Sequence, residues 1–318
     1  MIQFNAAINA AIKAPQVSIS TSAVLIDLHI GAWTGRKQDK RAASEVTANN
    51  NAKAGMANVT KKLLGDCESL SAVQKFIANT RNIHASMTMP WSDLGLRLCP
   101  LPVYLGSPSK DGYEKVMSGL EQEYWRLVNV FLDEYEWEMA NAQLLSDKLG
   151  SLFNPDEYPT RAKLSDKFSF RCTAIPVPAA GDWRLDINNE ATAVLTEAYD
   201  KYYKQQIDGA MRDIWLRVHK AVVNMVEGLD RYGMRTEKGN KQTFRDTLVE
   251  NVVELVELMG MCNITNDAAM SEAQRRLSIA LDGVTPEALR EDEYLRAETR
   301  KQVNEVKKII DSLPGLGF

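Results

Sequence analysis

From Tyr113 to Leu149 apolar side chains recur every three or four residues: Tyr113, Met117, Leu120, Tyr124, Leu127, Phe131, Tyr135, Met139, Ala142, Leu145 and Leu149. That spacing lays one narrow stripe along a helix of 3.6 residues per turn, so the segment predicts one long helix, capped by Asp111 and ended by Gly150. A second stripe, over Glu190–Leu229, runs through Leu195, Ala198, Tyr202, Met211, Ile214, Trp215, Val218, Val222, Met225 and Leu229. A continuous apolar seam must be buried against another helix, which predicts a bundle or a coiled-coil-like pairing.

Between and before these stripes the period drops to two. Val17–Ile30 is dense in β-branched residues and ends in the turn Gly31-Ala32-Trp33-Thr34-Gly35. Phe168–Ile175 and Trp183–Ile187 alternate and read as a hairpin turned by Pro176–Asp182, with Val17–Ile30 as its third strand. Arg36–Leu70 reads as a polar helix interrupted near Asn49-Asn50-Asn51, and Ser71–Ile83 as a short helix. Met1–Ala14 reads as a short amphipathic helix, and Met87–Pro108 as an apolar loop packed on the body. Helices follow over Phe244–Met259, from the capping residues Asn263–Asp267 to about Leu281, and from Pro286 to Leu313. The expected fold is mainly α with a small antiparallel β element (α+β), its long amphipathic helices bundled. Three stretches are expected: 1–110 with strand, basic helix and Pro-rich apolar loop, 111–230 with the long helices flanking a hairpin at about 166–188, and 231–318 with the C-terminal helices.

Composition narrows the function classes. The chain has 318 residues, 45% hydrophobic and 25% charged, with a net charge of −4, so a globally basic coat for nucleic acid is excluded while local basic sites are not. Cys67, Cys99, Cys172 and Cys262 lie far apart, which disfavours zinc ribbons and redox pairs and fits reduced thiols in the cytoplasm. No stretch resembles a signal peptide or a membrane span.

Catalytic chemistry finds little support. Gly31–Lys37 follows a strand, but three residues rather than four separate its glycines, Arg36 stands before Lys37, and Gln38 replaces the Mg-binding hydroxyl of a phosphate loop. Trp33 is therefore expected to pack in a tight turn. Asp27 and His29 can share a strand face as an acid–base pair, without a nucleophile beside them. His84 and His219 are single. Asp133, Glu134, Glu136 and Glu138 read as a solvated acidic face, since the Glu-x-x-His partners of a di-metal bundle are missing. No catalytic residue, metal or cofactor is assigned.

Two basic segments remain. Arg36, Lys37, Lys40 and Arg41 open the first; Arg235, Lys238, Lys241 and Arg245 make the second. Both are candidates to contact single-stranded nucleic acid or an acidic protein. The aromatics on the stripes are expected to be core. Trp125 and Trp137 lie off the main seam and are candidates for contact with another helix or subunit.

Five landmarks occur in order: Trp33-Thr34-Gly35-Arg36-Lys37, Met89-Pro90-Trp91, Asp156-Glu157-Tyr158-Pro159, Pro176-Val177-Pro178 and Phe244-Arg245-Asp246. In these the chain resembles a family of helical bacteriophage and prophage proteins of unknown function. Some relatives are encoded beside ATPases of the MoxR type or recombination genes. The resemblance implies a phage accessory protein in the host cytoplasm and supplies no catalytic residues. The expected function is a non-enzymatic accessory or assembly protein that forms homo-oligomers and binds a macromolecular partner away from membranes. A single-strand DNA binding or annealing protein, a MoxR adaptor, and an enzyme using Asp27 and His29 are the alternatives.

Overall fold

A computed structural model describes residues 19–108, 110–177, 190–235, 237, 239–313 and 316. The predicted Met1–Ala14 helix, the Trp183–Ile187 strand and Lys238 lie outside them. The rest is mainly helical with a small four-stranded sheet, as expected.

The chain begins with a helical turn α1 (Ile19–Ser22) and strand β1 (Ala23–Gly31). Strand β2 (Arg36–Gln38), helix α2 (Lys40–Asn49), strand β3 (Thr60–Lys62) and helix α3 (Glu68–Met87) follow. The short pieces β4 (Met89–Pro90), β5 (Arg97–Pro100), α4 (Leu101–Leu105), β6 (Gly106–Ser107) and β7 (Lys110–Asp111) lead to helix α5 (Tyr113–Ala140). Helices α6 (Ala142–Leu149) and α7 (Arg161–Ser165) precede strand β8 (Ser169–Pro176). The elements named after β8 are helices: α8 (Glu190–Arg231), α9 (Thr247–Cys262), α10 (Ala268–Leu281), α11 (Pro286–Glu291) and α12 (Glu293–Asp311). The sheet order is β4-β5-β1-β8, with β5 antiparallel to both β1 and β4.

Two compact units divide the chain, one of residues 28–86 and 114–173 and one of 1–27, 87–113 and 174–318. In the larger unit the second stripe is buried from Met211 onward. Met211, Ile214, Trp215, Val218, Val222, Met225 and Leu229 of α8 pack with Val252, Val256 and Met259 of α9 and with Val303, Val306 and Ile310 of α12. Burial fades toward the start of α8, where Tyr202 is 46% exposed. In the smaller unit the core is aromatic. Phe131 of α5 lies between Trp33 (6.1 Å), Tyr135 (6.1 Å) and Phe168 (5.7 Å), and Tyr124 meets Phe170 at 5.5 Å.

Several boundaries depart from the periodic reading. The first stripe is not one helix: α5 stops at Ala140, where the Asn141 side-chain amide donates to the Trp137 carbonyl at 2.8 Å alongside the Asn141 backbone N–H at 3.2 Å. Gly150 closes α6 with φ of 53°, as its position predicted. The last helix also breaks: Asp292 accepts from Leu295 N at 3.0 Å, capping α12 and separating it from α11. Arg36–Leu70 is helical in α2 and in the first residues of α3; β2 and β3 flank α2 and pair with each other. Met87–Pro108 holds short strands and α4 rather than loop alone. Met89, Trp91, Leu98 and Val103 there are buried, whereas Leu94, at a tight turn, is 94% exposed.

Candidate nucleic-acid interface

The smaller unit presents a two-stranded ribbon outside the main sheet. Antiparallel pairing sets Arg36 opposite Lys62, Lys37 opposite Lys61, and Gln38 opposite Thr60. Its entry is anchored by Trp33, buried against Phe131 and edge-on to Tyr135 at 5.8 Å, so the expectation of a packed Trp33 in a tight turn holds. Gly35 then turns the chain with φ of 66°, and a Cβ there would stand 2.7 Å from Leu70 Cδ2. The left-handed backbone is what favours glycine here, since the Leu70 methyl is the end of a flexible side chain. The Gly35 carbonyl accepts from Leu63 N at 2.8 Å, closing the end of the ribbon.

Like charges directly across a strand pair are destabilising, so a ribbon with two such pairs needs compensation. On the inner face it comes from Lys61, whose side chain is only 6% exposed. Its ammonium donates to the Leu152 carbonyl at 2.6 Å and pairs with Glu157 at 2.8 Å and Asp39 at 3.1 Å. Burial alone would depress that ammonium; its hydrogen bonds to Glu157 and Asp39 outweigh burial and hold it above the usual lysine value. Asp39, whose carboxylate also accepts from Ala42 N at 3.0 Å to cap α2, is held below the usual aspartate range by that backbone bond and by Lys61. Tyr158 donates to the Leu63 carbonyl at 2.7 Å and secures the next residues.

Around the ribbon and α2 other cations lack that compensation. Arg36, Lys37, Lys40 and Lys53 are exposed, and none has an acidic partner among the described residues. Arg41 pairs with Glu45 at 3.1 Å and Lys62 with Asp66 at 2.8 Å, both in exposed geometry. Exposed pairs of this kind are screened by solvent and hold their partners weakly. Of the first basic segment, then, only Lys61 is sequestered.

The second basic segment lies in the larger unit. Arg235 and Lys241 face each other in an antiparallel bridge, and both are exposed, as is Arg245. Lys241 stands 5.7 Å over the Tyr232 ring and Arg296 4.7 Å from the same ring, while Arg290 lies 5.1 Å over Phe244 and pairs with Asp246. Both aromatic rings are thus engaged by cations of the chain itself.

Trp125 is half-buried beside Tyr124 (5.1 Å), whereas Trp137 is 61% exposed. Twelve helical residues rotate them by about a third of a turn, so they do not make one face. Val130, seven residues before Trp137, shares its face and is also exposed.

The acidic stretch on α5 is not one solvated face. Asp133 and Glu136 are exposed and grip Arg161 at 2.7 and 2.9 Å, and Arg161 also donates to the Leu132 carbonyl at 3.0 Å. Glu134 is half-buried and Glu138 is 13% exposed, with Lys148 3.9 Å away. Burial, with the charge of Glu134 adding to it, pushes the Glu138 carboxyl above its usual range. A carboxyl whose folded pKa is raised binds its proton more tightly folded than unfolded, so stability falls as pH climbs from the unfolded value through the folded one. Glu138→Gln, permanently neutral, is expected to melt at a higher temperature than the parent at pH 7 and to lose that advantage near pH 4, about the ordinary glutamate pKa. Thermal melts of both proteins across that range check this.

His29 is exposed on β1 with Asp27 half-buried two residues earlier, and His219 bonds Asp311 at 2.8 Å. All four cysteines are free. Among the described residues, no group of three or more His, Cys, Asp or Glu side chains is placed to hold a metal ion, and no helix is long and apolar enough to cross a membrane. The Lys61 centre and the Arg161 clamp escaped the sequence, because their partners are distant in the chain. Glu138 carried a signal: three residues past Tyr135, it lies about 60° from the buried stripe. No family model, curated protein or solved structure matches the chain.

Proposed function

We propose that this chain is a non-enzymatic nucleic-acid-binding accessory protein whose contact surface is the β2–β3 ribbon with the start of α2. One observation carries the reading: Arg36, Lys37, Lys40 and Lys53 stand exposed without acidic partners on a protein of net charge −4. Concentrated charge of this kind releases counterions from a phosphate backbone on binding. Arg235, Lys241 and Arg245 offer a second contact of the same sign. The resemblance to phage proteins adds a role in the host cytoplasm. In fluorescence anisotropy with labelled DNA, affinity is expected to fall at least tenfold between about 50 and 200 mM salt. Arg36→Glu/Lys37→Glu/Lys40→Glu is expected to abolish binding while circular dichroism stays unchanged. No binding by the parent protein at the lowest salt ends the proposal.

A second reading, self-association, is favoured by the exposed Trp137 and Val130 on one face of α5. Light scattering is expected to show an oligomer that Trp137→Ala dissociates; a monomeric parent protein removes it.

A further inference from the structure

The outward face of the ribbon carries more than charge. In an antiparallel pair, opposed residues point to the same face. Lys61 turns inward to Asp39 and Glu157, so the neighbouring cross-strand pairs, Arg36 with Lys62 and Gln38 with Thr60, form the outer face. All four residues are exposed. The Gln38 side-chain nitrogen donates to Asn58 Oδ1 at 2.9 Å, which leaves the Gln38 carbonyl as an acceptor beside the Asn58 amide as a donor. An arginine and an amide donor–acceptor set are the groups that recognise guanine and adenine edges.

Resting on the nucleic-acid reading, we infer that the β2–β3 ribbon enters the major groove of duplex DNA, with Arg36 and the Gln38–Asn58 pair at base edges and Lys37, Lys40 and Lys53 at phosphates. Dimensions agree. Three residues per strand span roughly 10 Å, and two strands lie about 4.8 Å apart. A major groove about 12 Å wide and 8.5 Å deep admits such a ribbon; a minor groove about 6 Å wide does not. Sequence-tolerant single-strand binding needs aromatic platforms for the bases. The outer face has none: Arg36, Gln38, Thr60 and Lys62 are all polar, and the nearby Trp33 is buried beneath. The inner Lys61 cluster holds the ribbon in place, so little ordering is left for binding to impose.

The test compares three labelled probes of equal length at low salt: a duplex, the same duplex with its cytosines carrying glucosylated 5-hydroxymethyl groups that fill the major groove, and a single strand. The plain duplex is expected to bind at least tenfold tighter than either of the others. Arg36→Ala and Gln38→Ala are each expected to weaken duplex binding about tenfold, the effect of losing one good base contact. Lys53→Ala is expected instead to reduce the salt slope by about one. Equal binding of the plain and glucosylated duplexes, or tighter binding of the single strand, overturns the groove assignment while leaving nucleic-acid binding intact. Failure to bind all three probes removes the underlying reading instead.

Discussion

Lys61→Met is expected to cost roughly 3 kcal/mol of unfolding free energy at neutral pH, the scale of breaking a buried ion pair from one side. Methionine keeps most of the stem volume but withdraws the charge. Asp39 and Glu157, with side chains only 12% and 18% exposed, then face each other without their shared cation, and the Leu152 carbonyl loses its donor. The pH dependence has a definite sign. The ammonium's folded pKa is raised, so its stabilisation is fully present below the unfolded lysine value and is lost only as pH climbs through the folded one. Asp39 is depressed, so its share is present above the ordinary aspartate value and disappears as pH falls through the folded one. Urea titrations of parent and variant should therefore differ most between about pH 5 and 9 and converge in acid. Adding Glu157→Gln to the variant should recover part of the loss, because it removes one of the two stranded carboxylates. Equal stability of parent and Lys61→Met at pH 7 would show the cluster to be solvated.

That centre also marks where sequence reasoning stops. Within residues 36–62 every cation counts alike, and Lys61 differs from Lys62 only by strand phase. Its carbonyl partner is 91 residues away, so no local pattern announces it. Strands of three residues such as β2 and β3 are too short to alternate visibly, and helical composition on both sides absorbed them into one polar helix. Breaks at Asn141 and Asp292 were hidden for a related reason. Neither break has a proline or glycine at it, and at Asn141 the apolar period of the stripe runs on through Ala142, Leu145 and Leu149. What was legible was long and periodic: the buried face of α5, the buried half of α8, and the packed Trp33. Of the candidate interface, residue type and exposure could be read from the chain. The ribbon that aligns Arg36 with Gln38 on one face could not.

Phe131→Ala should have a comparable or larger effect, about 3–5 kcal/mol, against a total that for ordinary domains is about 5–15 kcal/mol. Phe131 is wholly buried, and its ring meets Trp33, Tyr135 and Phe168, so truncation leaves a cavity walled by rigid rings that cannot collapse into it. Phe131→Leu, which fills most of the space, should cost clearly less. The consequence reaches the interface, because Trp33 rests on Phe131 and fixes the turn from which β2 emerges. Amide exchange around residues 33–38 is therefore expected to accelerate in Phe131→Ala at temperatures where the protein remains folded. DNA affinity should fall with it, although no cation has been removed. Slower association with an unchanged salt slope would separate this loss of ribbon order from the loss of charge in Lys37 and Lys40 variants, since the slope counts phosphate contacts and not the rigidity that presents them. If exchange at 33–38 is unaltered while stability drops, Trp33 is held by its other neighbours, and the core and the ribbon are energetically independent.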